Sequence, residues 1–181
     1  MVEAAVAAGE ALEGDDLAEV LWALGRYASP DPEAAGARLA SLEAVVARRL
    51  DGMGPAALAM VAQAYGAVRP VPAAAMGRVA AHVRAGLPAF GFGDVLRVLY
   101  AFLAAGITDE ALLRDVDAWL EERMARIPPQ GLTAALWAYA RMGHAPRPLL
   151  QARAAGRLQR YRRCSDAGCS EGRSWGLAGC A

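Results

Sequence analysis

Residues 129–143 read Pro129-Gln130-Gly131-Leu132-Thr133-Ala134-Ala135-Leu136-Trp137-Ala138-Tyr139-Ala140-Arg141-Met142-Gly143, and the heart of this stretch recurs three times upstream. The other copies are Leu17…Leu21-Trp22-Ala23-Leu24, Leu58…Ala62-Gln63-Ala64-Tyr65 and Val95…Leu99-Tyr100-Ala101-Phe102. Ala23, Ala64, Ala101 and Ala138 thus hold one equivalent position, at spacings of 41, 37 and 37 residues. A period between about 20 and 50 residues marks an array of supersecondary units, none of which buries its apolar face alone. In residues 129–143 Leu132, Leu136 and Tyr139 share one helical face, and Trp137 with Ala140 widens it to an arc of about 160°. So wide an arc contacts two neighbours: the second helix of its own repeat and the adjoining repeat. The small alanine permits close approach between them.

Second helices follow each copy. Their apolar positions are Leu39, Leu42, Val45, Val46 and Leu50; then Met76, Val79 and Val83; then Leu112, Leu113, Val116 and Leu120. A weaker fourth stretch runs from Leu149 to Leu158. The fold class expected is all-α, a solenoid of four helix pairs with first helices near residues 14–27, 55–68, 92–105 and 129–142. Asp15 and Asp16 are placed to cap the first of these, and Pro55 and Pro128-Pro129 suit the first turn of later ones, where a missing N–H costs nothing. Gly106 and Gly143 stand where first helices end, with Pro70, Pro72, Pro146 and Pro148 in the loops. The four additional residues of the first copy are assigned to its turn, around Ser29-Pro30-Asp31-Pro32. Residues 1–11 form a lead-in, 12–163 the solenoid, and 164–181 a Gly- and Ser-rich tail expected to be disordered.

Composition narrows the function. Hydrophobic residues make up 56% of the 181, ample for a core. Formal charge is zero but uneven: from Arg141 onward eight Arg face only Asp166 and Glu171, leaving the first 140 residues at −6. Every basic residue is Arg, with neither Lys nor Asn in the chain, a bias we read as genomic GC content. No apolar run has the length of a membrane-spanning helix, and neither a secretory signal nor an organelle transit peptide is visible at the start, where Glu3, Glu10 and Glu13 precede the first Arg, Arg26. Cys164, Cys169 and Cys180 match no common zinc spacing, and His82 and His144 are read as solvated. No His-centred triad or nucleotide loop is present, so neither catalysis, a cofactor, a metal nor a small-molecule substrate is expected.

The stretch Ile127–Leu150 resembles an octotricopeptide repeat, a helical-pair repeat of organellar proteins expanded in green algae. The likeness is carried by Pro129, Gln130, Leu132, Leu136, Trp137, Ala138 and Gly143, followed by Pro146 and Pro148. Leu149-Leu150 stands where the family often has Glu-Trp. The first copy keeps Leu-Trp-Ala, the third has Leu-Tyr-Ala, and the second, with Ala62-Gln63-Ala64, is degenerate. The resemblance covers about residues 12–163 and implies sequence-selective binding of single-stranded RNA, about one nucleotide per repeat, on chloroplast or mitochondrial transcripts. It further implies a role in transcript stability, processing or translation, as part of a longer repeat protein. The positions after each leading apolar residue are Ala18 and Glu19, Ala59 and Met60, Leu96 and Arg97, Thr133 and Ala134. Only Glu19, Arg97 and Thr133 offer hydrogen bonds there. Arg153, Arg157 and Arg160 are candidates for phosphate contact, although their simpler reading is a solvated outer helix face. Trp22, Tyr100 and Trp137 are read as packing between repeats, not as stacking platforms for bases. The competing reading is an armadillo- or HEAT-like scaffold for other proteins, which the near-neutral charge would suit.

Overall fold

The computed structural model describes residues 11–27 and 31–146. These contain seven α-helices and no strand: α1 Gly14–Arg26, α2 Pro32–Arg49, α3 Pro55–Ala67, α4 Ala73–Gly86, α5 Phe92–Ala105, α6 Glu110–Arg123 and α7 Pro129–Arg141. The expected first helices are α1, α3, α5 and α7, and α2, α4 and α6 are the second helices. The weak Leu149–Leu158 stretch, the tail at 164–181 and the lead-in before residue 11 lie outside the described residues.

Local chemistry sets most boundaries. Asp31 accepts a hydrogen bond from the Ala34 amide (2.9 Å) to open α2, and Asp109 accepts from Ala111 and Leu112 (3.0 and 2.9 Å) to open α6. Pro55 and Pro129 occupy the first turns of α3 and α7. Gly106 closes α5 at φ 70° and Gly143 follows α7 at φ 72°, a left-handed conformation that glycine adopts without strain. Each second helix tightens into a 3-10 turn, at Leu50–Gly52, Leu87–Ala89 and Met124–Arg126. A buried apolar residue, Met53, Phe90 or Ile127, then leads into the next first helix.

Two boundary expectations are corrected. Asp15 and Asp16 lie inside the first turn of α1; the capping position is Glu13, which makes no side-chain cap bond. The acids still favour the positive end of the helix dipole. Nor do the four additional residues of the first copy enlarge a turn, because α2 has 18 residues where α4 has 14. Four residues add about one helical turn, so the apolar face keeps its direction.

The first helices lie side by side. A Cβ built on Gly25 would come within 2.6 Å of the Ala64 Cα, and one on Gly66 within 2.5 Å of the Ala101 carbonyl oxygen. C-terminal halves therefore meet C-terminal halves. At the other end Gly131, in the first turn of α7, makes room for the ring of Phe92, the first residue of α5. Neighbouring first helices consequently run parallel, with Ala64 and Ala101 at their closest crossings, as the shared alanine predicts. The second helices form the other layer, α2 against α4 and α4 against α6. Between the layers lies one core holding Leu21, Leu39, Tyr65, Met76, Phe102 and Leu120.

Candidate nucleic-acid interface

On the face of the first-helix layer turned from the core, equivalent residues fall into rows that cross the helices. One row is Glu19, Met60, Arg97 and Ala134; the next is Trp22, Gln63, Tyr100 and Trp137; a third is Arg26, Ala67, Ala104 and Arg141. The third row is exposed throughout, and the other two are exposed or half-buried.

The aromatic row bears out the packing assignment only in part: Tyr100 is half-buried against the core and touches Trp137 of the next repeat, whereas the two indoles are exposed. Trp137 is 52% exposed and Trp22 37%, so neither ring is buried between repeats. Valines, alanines and glycines do that work, while Trp137 and Tyr100 lean together with ring centroids 5.8 Å apart and planes tilted by 40°. The Arg26 guanidinium lies 5.5 Å from the centroid of the Trp22 ring, and Arg141 5.9 Å from that of Trp137. Both are within cation–π range. Each pair is spaced i, i+4 on its helix, one helical turn apart. The Trp–Arg spacing stands in the sequence at two equivalent places, but on a helical wheel the tryptophans fall at the rim of the apolar arc, where the pattern alone does not say whether they are covered.

The residues assigned to base reading divide. Glu19 and Arg97 share one row on the exposed surface, on α1 and α5. Arg97 approaches Asp94 at 3.7 Å. Thr133, exposed on α7, donates its hydroxyl to the Pro129 carbonyl at 3.2 Å. Its equivalents Ala18 and Ala59 are fully buried against neighbouring helices, so that row does not form a continuous reading surface. Arg153, Arg157 and Arg160 lie outside the described residues.

Electrostatics grade along the layer. Asp15, Glu19 and Asp94 stand towards the helix N-termini, Arg26 and Arg141 at the C-termini, each sign opposing the dipole end beside it. Arg69 is committed to structure: it donates to the Gly66, Val68 and Ala104 carbonyls at 3.2, 2.7 and 2.9 Å, tying the end of α3 to that of α5. An exposed aromatic row bordered by guanidinium groups offers faces on which bases stack and cations for the phosphates between them.

His144 is not a solvated loop residue. Its Nε2 lies 2.8 Å from Asp117 Oδ2 and its ring 5.2 Å from that of Tyr139, so it fastens the segment after α7 onto α6. Burial first, and then the Asp117 carboxylate, raise the Tyr139 pKa. His82 is likewise engaged, between Arg78 and Asp51. Among the described residues no group of three His, Cys, Asp or Glu side chains is placed to hold a metal, and no helix is long and apolar enough to cross a membrane. No protein-family model, curated protein or solved structure matches the chain.

Proposed function

We propose that the chain is an α-solenoid of octotricopeptide-like repeats that binds single-stranded RNA along the exposed surface of its first-helix layer, serving chloroplast or mitochondrial transcripts in their stability, processing or translation. The observation that supports this most is the row Trp22, Gln63, Tyr100 and Trp137, with Arg26 and Arg141 over its two indoles. Stacking on such rings tolerates any base, and Gln63, Arg97 and Glu19 supply the hydrogen-bonding groups that add preference. The zero net charge agrees with modest affinity, since electrostatic attraction to phosphate is confined to a few arginines.

The test is fluorescence anisotropy with single-stranded RNA, duplex DNA and an unrelated polyanion across a salt series. We expect preference for the single strand and a salt slope corresponding to a few phosphates. Trp137→Ala should weaken RNA binding by about 1–3 kcal/mol, the usual worth of one stacked base. The same substitution should cost less than about 1 kcal/mol of folding stability, because the ring is half in water, whereas Tyr139→Ala, at a fully buried site, should cost about 3–5 kcal/mol. Equal binding of all three polymers would reduce the interaction to charge. Absence of RNA binding would favour the protein-scaffold reading.

A further inference from the structure

The arginines differ in what they already face. Arg97 has Asp94 at 3.7 Å, and in the second layer Arg78 pairs with Glu43, Arg84 with Asp115 and Arg123 with Glu122. Among the described residues no carboxylate pairs with Arg26 or Arg141. Both are exposed, each 5.5 or 5.9 Å from the centroid of its own indole. An aromatic face attracts a cation without neutralising it, so both keep their charge for an anion. They stand at the two ends of the row Arg26, Ala67, Ala104 and Arg141, along the C-terminal edge of the first-helix layer. Between them Arg69 covers the Gly66, Val68 and Ala104 carbonyls, at the ends of α3 and α5 where the negative helix dipole would otherwise repel an anion. The N-terminal edge is acidic, with Asp15, Asp16 and Glu19 on α1 and Asp94 on α5. Asp31 and Glu33, and Asp109 and Glu110, also lie near the C-terminal edge, but they open the second helices: Asp31 and Asp109 accept capping amides, and Glu110 lies 3.7 Å from His144.

These observations give the strand an orientation. We propose that the sugar–phosphate backbone of a bound single strand crosses the C-terminal edge, with phosphates on Arg26 and Arg141, and that its bases turn towards the helix N-termini, over the aromatic row and then the row of Glu19, Met60 and Arg97. This rests on the RNA-binding reading and divides the labour within it. A backbone laid the other way would bring phosphates against Asp15, Asp16 and Glu19, and like charges repel it. Arg97, one row deeper and held by Asp94, then meets the edges of bases, whereas Arg26 and Arg141 fix the register. At about one nucleotide per repeat the two phosphate contacts fall about three nucleotides apart, and the alanines between them leave the intervening phosphates in water.

The salt dependence of single-stranded RNA binding by the whole chain tests this. Each phosphate neutralised on a single strand contributes about 0.7 to the slope of log affinity against log salt. Arg26→Gln and Arg141→Gln should each lower that slope by about 0.7, and together by about 1.4. Arg26→Lys and Arg141→Lys should retain it, which separates a phosphate contact from mere support of the indoles. Ala67→Arg, at an exposed gap in the row, should raise the slope by about 0.7. Arg97→Gln should alter base preference and leave the slope as it is. An unchanged slope in Arg26→Gln or Arg141→Gln, or a slope lowered by Arg97→Gln, would overturn the orientation while RNA binding itself stands. A wild type that binds no RNA would remove the RNA reading, and the orientation with it.

Discussion

The two layers of helices are held together by different physics. Between first helices the backbones nearly touch, Gly25 on Ala64 and Gly66 on Ala101, and the contacts around them are apolar. Between second helices the connections include charged pairs near solvent: Glu43 with Arg78, Asp51 with His82, and Arg84 with Asp115. Close packing of small residues loses its contacts when the backbones part, whereas an exposed ion pair typically contributes 0–1 kcal/mol and screens with salt. The first-helix layer should thus govern stability, and the charged pairs help to set how α2, α4 and α6 lie against one another. This division leaves the outward face of the first-helix layer free to vary in chemistry, and that is where the tryptophans stand.

The largest expected effect comes from one substitution made in each layer. Gly66→Ala places a methyl group against the Ala101 carbonyl oxygen and must push α3 from α5, so it should destabilise by about 2 kcal/mol even though alanine is the better helix former. Gly77→Ala on α4 meets nothing within 4 Å and should stabilise by about 0.4–1 kcal/mol. Urea denaturation of both variants decides the matter. Effects of the same sign would remove the contrast between the layers.

A smaller effect is expected from the ion pairs. A double-mutant cycle with Glu43→Gln and Arg78→Gln should return a coupling of about 0.2–1 kcal/mol that shrinks as salt is raised. At the neighbouring pair the Asp115 carboxylate hydrogen-bonds the Arg84 guanidinium at 2.6 Å and raises the Arg84 pKa. Coupling above about 2 kcal/mol between Glu43 and Arg78 would place a substantial part of the stability in the second-helix layer.

Much of the layered arrangement was legible in the sequence, since the recurring stripe located the first helices to within a residue or so of their observed ends. Pro55, Pro129, Gly106 and Gly143 marked boundaries through backbone properties that need no tertiary context. The inserted residues were misplaced because adding four residues to a loop or one turn to a helix leaves the same apolar pattern downstream. Trp22 and Trp137 are less enclosed than the pattern implies for a related reason: a helical wheel gives direction, and which flank a neighbour covers depends on how closely backbones approach. Trp119, buried on α6 with the Arg123 guanidinium 4.9 Å from its ring centroid, was passed over among the leucines of its helix. His144 and Asp117 lie 27 residues apart, and no local pattern announces such a pair. Of the surface proposed for RNA, Glu19 and Arg97 are assigned from the repeat register, while the arginines over the indoles emerge only from the geometry.

The smallest effect concerns His82 and has a definite sign. Its Nδ1 lies 2.8 Å from the Arg78 carbonyl oxygen and its Nε2 2.9 Å from Asp51 Oδ1. Both partners only accept, so both ring nitrogens are satisfied as donors only when the imidazole is protonated. The Arg78 carbonyl is the main reason that the pKa is raised above 6.5; partial burial opposes it, and Asp51 assists. A raised folded-state pKa contributes stability that is fully present below the unfolded value of about 6.5 and is lost as pH rises through the folded value. Comparison of the wild type with His82→Gln isolates this contribution, because the other titrating groups are common to both chains. The stability difference should favour the wild type at pH 5.5, stay below about 1 kcal/mol because the pair is exposed, and diminish by pH 8.5. A difference that grew with pH would mean that His82 is held neutral. Asp51 and His82 would then be joined at most by a hydrogen bond from a neutral ring, and the second-helix layer would have one fewer charged pair to set against the close packing of the first.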